Sequence, residues 1–165
     1  MNERIAGVLL AAMQTELAAT RAGVPQRMAV YPHALPAIEF CSQGWVGFRT
    51  IRPGQLLGRG ACGVADWEVA LTLGVARCWP VQEGNAAPPV PAVDSAARDV
   101  LDDFEAMRRA VEAVRELDLI PTIGAWTPLN PMGGGHGSTL EVQVTAGLGA
   151  YCDEVAPMLP GDPRG

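Results

Sequence analysis

The residues best suited to chemistry lie in one glycine-rich stretch, Gly133-Gly-Gly-His-Gly-Ser-Thr139. Backbone of this kind can cradle an anion, and a serine–threonine pair follows, as at the end of a phosphate-binding loop. The lysine of such a loop is missing, and the stretch leads into a strand-forming sequence instead of a helix. A hairpin whose glycines allow close approach of another chain is the plainer reading. His136 could act as a general base or a ligand, but the only other histidine, His33, sits in a distant proline-rich stretch. A solvent-facing loop histidine is therefore expected. Ser42, Ser95 and Ser138 lack the frame of a nucleophile elbow. Asp99, Asp102, Asp103 and Glu105 could hold a cation, yet a solvated, dipole-matched helix surface explains them without one. No catalytic, metal-ligating or cofactor-binding set is complete, so no cofactor and no enzyme activity are expected.

The four cysteines, Cys41, Cys62, Cys78 and Cys152, form no C-x-x-C pair, and the two histidines complete no zinc spacing. A core of this size needs no staples, so three or more are expected as reduced, buried, apolar side chains. Arg49, Arg52 and Arg59 make the one basic stretch outside the second helix, and inter-subunit ion pairs are the expected use. Trp45, Trp67, Trp79 and Trp126 each lie at or beside a predicted strand, where indoles serve as core or interface anchors.

The elements that must position these residues follow from pattern. With 165 residues, 48% hydrophobic and 18% charged, the chain fits one folded domain and lies far from disorder. Twelve basic residues, all arginine, against eighteen acidic ones give −6, which argues against gripping nucleic acid through its phosphates. Ile5, Leu9, Ala12, Met13 and Leu17 mark one stripe of a helix over 2–22, a packed element and not a signal peptide. No apolar run reaches the roughly twenty residues of a membrane span.

Residues 23–44 read as extended and irregular with one short strand, then Trp45–Ile51 as a strand closed by Pro53 and Gly54, with a loop over 53–63. Asp66–Trp79 is the clearest strand: Trp67, Val69, Leu71, Leu73 and Val75 share one face, and Glu68, Ala70, Thr72, Gly74 and Ala76 the other. At roughly 45 Å it is expected to project or to pair outside the monomer. A proline-rich linker, 80–93, leads to a helix capped by Asp94 or Ser95 and running to Leu117. Its stripe is Ala97, Val100, Leu101, Phe104, Met107, Val111 and Val114. Pro121–Pro128 and Thr139–Ala146 are the last strands. The fold class is α+β, a mixed, mainly antiparallel sheet of four to five strands packed by two helices. One domain covers 1–146, and 147–165 is an extended C-terminal tail.

In order, the chain shows a helix, Cys41-Ser-Gln-Gly-Trp45-Val-Gly-Phe-Arg49, a glycine loop and a strand ending Gly74-Val-Ala-Arg-Cys-Trp-Pro80. After the second helix comes Trp126-Thr-Pro-Leu-Asn-Pro-Met-Gly-Gly-Gly-His-Gly137 and the closing strand. Over residues 2–146 this resembles the small neck and tail-completion proteins of long-tailed phages of actinobacteria, and most of all their tail terminators. The all-arginine, alanine-rich composition is compatible with such a host.

The resemblance implies a homo-oligomeric ring of six copies at the head–tail junction of a virion, assembled in the host cytoplasm. It would cap the tail tube and bind the major tail tube protein on one side and head completion or connector proteins on the other. Genomic DNA would pass without specific binding, since six copies at −6 each carry about −36 and repel phosphates. No membrane is involved. Candidate contacts between subunits or with partners are Arg49, Arg52, Trp79, Trp126, Met132, Gly133, Gly134, Gly135 and His136. Another connector or stopper tier of the neck is the alternative, and a small enzyme using His136 is a third reading.

Overall fold

A computed structural model of the chain describes residues 2–38, 41–56, 65–80, 87–132 and 134–147. Helix α1 (Asn2–Ala18) leads to strand β1 (Arg27–Tyr31), followed by β2 (Gln43–Leu56) and β3 (Ala65–Cys78). Helix α2 (Val90–Val111) continues as a 3-10 turn over Glu112–Leu117, and β4 (Pro121–Met132) and β5 (Gly135–Gly147) close the fold. The five strands form one sheet in the order β1-β2-β3-β5-β4. Only the β1–β2 pair is parallel. This is the α+β class expected from the sequence.

Both helices cover one face. The stripe Ile5, Leu9, Met13 and Leu17 of α1 is fully buried against Val46, Val69, Leu71, Leu73 and Val75, with Leu140, Val142 and Val144 beside them. Fully burying each such side chain is worth about 1.5–3 kcal/mol, which is why the period-two pattern of β3 fixes its facing.

The expectation that β3 projects is overturned. It is the central strand, paired along its length with β2 from Ala65 to Ala76 and with β5 from Asp66 to Cys78. Its length is matched by its own neighbours, so no foreign strand is needed. Its weakly polar face is also filled from within. The indole of Trp45 lies across Gly74, where a Cβ would come within 2.1 Å of the ring, and Trp45 Nε1 donates to the Ala34 carbonyl at 3.0 Å.

Several boundaries differ from the sequence expectation: β4 runs on from Pro128 to Met132, β2 starts at Gln43, and the following have a local reason. Helix α1 stops at Ala18 instead of Ala22, and turns carry the chain to Gly23 at φ 68°. Strand β2 runs on through Pro53 and Gly54 because β1 pairs only with Gln43–Gly47; beyond it β2 is an edge, where a missing donor costs nothing. Helix α2 begins at Val90, not at Asp94 or Ser95, since Pro91 falls in the first turn, where no amide hydrogen is required. Strand β5 begins at Gly135, which places His136 inside the sheet. The glycine loop beyond Leu56, the middle of the proline linker and the tail beyond Gly147 lie outside the described residues.

The buried face of α2 is rotated from the expected stripe. Ala96, Val100, Asp103, Ala106, Met107, Ala110 and Val111 face inward, while Ala97 and Leu101 turn outward. Small alanines let the helix approach closely, and the inward acid has a partner waiting. The solvated reading of the acidic group therefore fails for Asp103, which is 1% exposed and bound by Arg77. The cysteine expectation fails as well, because Cys41 and Cys78 form a disulfide that ties the segment before β2 to the end of β3. Cys62 and Cys152 lie outside the described residues.

Candidate interaction surfaces

The candidate contacts separate onto two faces of the sheet. Arg49 and Arg52 stand on the face that no helix covers, together with Glu68, Thr72, Glu141 and Gln143. Within the chain, Arg49 pairs with Glu141 and Arg52 with Glu68. Arg52 and Glu68 are direct cross-strand partners. Arg49 reaches from β2 over β3 to β5, which the small side chains of Ala70 and Thr72 permit. These pairs are largely exposed, so each is worth at most about 1 kcal/mol and their main effect is to neutralise the face. The shallow depression between them, about 270 Å³, is charge-balanced. Arg59 lies outside the described residues.

Trp79, Trp126 and His136 gather on the helix-covered face, in a cleft of about 320 Å³ between the first half of α2 and the β4–β5 hairpin. Leu101, Val93, Pro128 and Leu129 complete its apolar walls. The His136 ring meets Trp79 edge-on, with centroids 5.1 Å apart, and Trp126 leans on Phe104 at 5.3 Å. His136 is thus not the solvent-facing loop residue expected: it is 6% exposed and pairs in register with Arg77. Burial pushes its imidazole below the ordinary value, the nearby carboxylates of Asp99 and Asp103 opposing the shift. Its burial and its contact with the Trp79 indole make the His136 ring part of the packed wall of the cleft.

Gly134 turns the hairpin at φ 81°, a conformation that favours glycine, and its carbonyl accepts from the Trp79 amide at 2.8 Å. Gly135 is buried and pairs with Met132 across the turn, while Gly133 lies outside the described residues. The glycines thus hold a tight hairpin against the end of β3, a geometry without the helix N-terminus of a phosphate loop.

Three acids of the α2 group are engaged by arginines. Asp99 accepts from Arg21 at 2.6 Å, Asp103 from Arg77 at 2.6 Å and Glu105 from Arg108 at 2.7 Å. No group of three histidines, cysteines or acids among the described residues is placed to hold a metal ion. No helix there is long and apolar enough to cross a membrane.

A third feature went unread in the sequence. Exposed apolar side chains stand on both edge strands, Val30 on β1 and Ile123 on β4, with Val24 and Ile120 exposed in the segments leading into them. Periodicity cannot reveal them, because which strands end a sheet is set by topology. Edge strand β4 also carries Pro121, Pro128 and Pro131, and prolines, lacking an amide hydrogen, discourage edge-to-edge strand addition.

Comparison with protein-family models and with curated proteins finds no match for this chain.

Proposed function

We propose that the chain is a structural subunit of a phage particle, a tail terminator that closes into a ring at the head–tail junction. The observation that carries this reading is the pair of unlike edge strands, each with an exposed apolar side chain, Val30 on β1 and Ile123 on β4. A two-fold dimer needs one self-complementary patch. A head-to-tail contact needs two different ones, and it closes into a ring when the rotation per subunit divides the circle.

The order of elements supports the same assignment, since a helix, a long central strand, a second helix and a closing hairpin run in the sequence expected of that family. The ring would take six copies, stop growth of the tail tube and seat the head completion proteins. Its net negative charge would keep the passing DNA from adhering.

The test is a nonsense mutation in the phage that encodes the chain, read by electron microscopy. Loss of the protein is expected to give over-long tails without heads, and labelled protein is expected at the head–tail junction of wild-type particles. Tails of normal length joined to heads, or absence of the protein from purified particles, would overturn the assignment.

A further inference from the structure

The Cys41–Cys78 bond sits where a thiol in solution can reach it. Continuing the pairing of Gln43 with Ala76 by two places sets Cys41 opposite Cys78, so the bond extends the β2–β3 ladder. By alternation it falls on the side of β3 that carries Gly74 and Ala76, opposite the core residues Leu73 and Val75 and away from both helices. Cys78 is exposed and Cys41 half-buried. Exposed disulfides exchange with thiols, whereas deeply buried cysteines are inert.

Each cysteine is also held in place without the bond. Beside Cys41, Ser42 accepts from the Gln26 amide through Oγ at 3.0 Å and from the Arg27 amide through its carbonyl at 3.2 Å. Beside Cys78, the Trp79 amide donates to the Gly134 carbonyl at 2.8 Å, and Arg77 is clasped by Asp103 and Gly23. Cys78 itself pairs with Gly135 of β5. Cutting the bond therefore leaves two thiols facing each other across an intact ladder, ready to close again.

We propose that Cys41 and Cys78 form a reversible dithiol–disulfide couple that opens and closes in the folded chain, with dithiols as its reductants. A thiolate of the reductant attacks Cys78 Sγ, the more exposed sulfur; the bond to Cys41 breaks, and the Cys41 sulfur leaves as a thiolate. The second thiolate of the reductant then attacks the reductant sulfur of the mixed disulfide. That step releases Cys78 and closes the reductant's own disulfide. Two electrons and, at neutral pH, two protons pass from reductant to protein. A small disulfide such as oxidised glutathione runs the exchange in the other direction. The chain can thus fold with free thiols in a reducing compartment and gain its cross-link on leaving it. The couple goes beyond the ring reading and stands without it.

The test uses the full oxidised chain without denaturant. Dithiothreitol is expected to free both Cys41 and Cys78, read by alkylation and peptide mapping, while the amides of β2 and β3 stay protected from hydrogen exchange. Replacing it with oxidised glutathione should restore the Cys41–Cys78 bond, with no bridge from either residue to Cys62 or Cys152. Oxidised glutathione should also modify Cys78 in Cys41→Ser several-fold more than Cys41 in Cys78→Ser. A bond that resists dithiothreitol until the protection is lost, or reoxidation into other pairs, would overturn the couple. Equal modification in the two variants would overturn the attack at Cys78. None of these outcomes touches the ring, which is read from oligomer mass.

Discussion

Arg77 of β3 and Asp103 of α2 face each other in two parallel hydrogen bonds, Nε to Oδ2 at 2.9 Å and Nη2 to Oδ1 at 2.6 Å. The same guanidinium donates from Nη2 to the Gly23 carbonyl at 2.7 Å. One side chain therefore joins the sheet, the second helix and the turn that follows the first. Both partners are buried, so breaking the pair leaves an uncompensated charge. Arg77→Met is expected to cost about 3–5 kcal/mol in chemical denaturation, and the double change Arg77→Met with Asp103→Leu to recover much of it. A double variant as unstable as the single one would show that the geometry matters and the charge does not.

The contact between Trp45 and Gly74 makes a separate prediction. A methyl group at position 74 would collide with a fully buried indole. Gly74→Ala should lower stability by at least about 1–3 kcal/mol despite the better strand propensity of alanine, and Trp45→Leu in the same chain should relieve part of the loss. Thermal melts of the two variants decide this.

The Cys41–Cys78 bond closes a loop with a sequence separation of 37. On a chain-entropy account such a link is worth about 2–4 kcal/mol. Urea unfolding with and without a thiol reductant, repeated on Cys41→Ser, should show this loss once, with the variant insensitive to the reductant.

His136 gives stability a pH dependence whose sign follows from its burial. Its folded-state pKa lies below the ordinary value of 6.5, so the unfolded chain binds the proton more readily. The stability it contributes is present above that ordinary value and is lost as pH falls through the folded value. Melting temperatures measured from pH 7.5 down to 5 should fall, and His136→Phe should flatten the slope. An unchanged slope would place the titration elsewhere.

Much of this architecture was legible because burial imprints a period. The stripes of α1 and β3 announce themselves through Ile5–Leu17 and Val69–Val75, since one misplaced residue would turn a core face to water. Asp103 was illegible for the opposite reason. Its partner lies 26 residues away on another element, and an acid amid Asp99, Asp102 and Glu105 looks solvated until the helix is docked. His136 was misread likewise, because glycines on both sides signal a loop when the backbone is in fact packed tightly against β3. Leu101 fell within the apolar stripe by spacing, yet docking rotated the helix and left it on the rim of the cleft. Spacing encodes local facing; pairing between distant elements has no local signature.

The central claim is a head-to-tail ring built on two unlike borders, and native mass spectrometry of two border variants tests it most directly. Val30→Asp and Ile123→Arg each alter a partly exposed residue on one border. The wild type should appear as a closed oligomer of six chains, each variant alone as a monomer, and their mixture as a dimer joined through the two intact borders. A wild type that remains monomeric at high concentration, or variants that assemble as it does, would contradict the account.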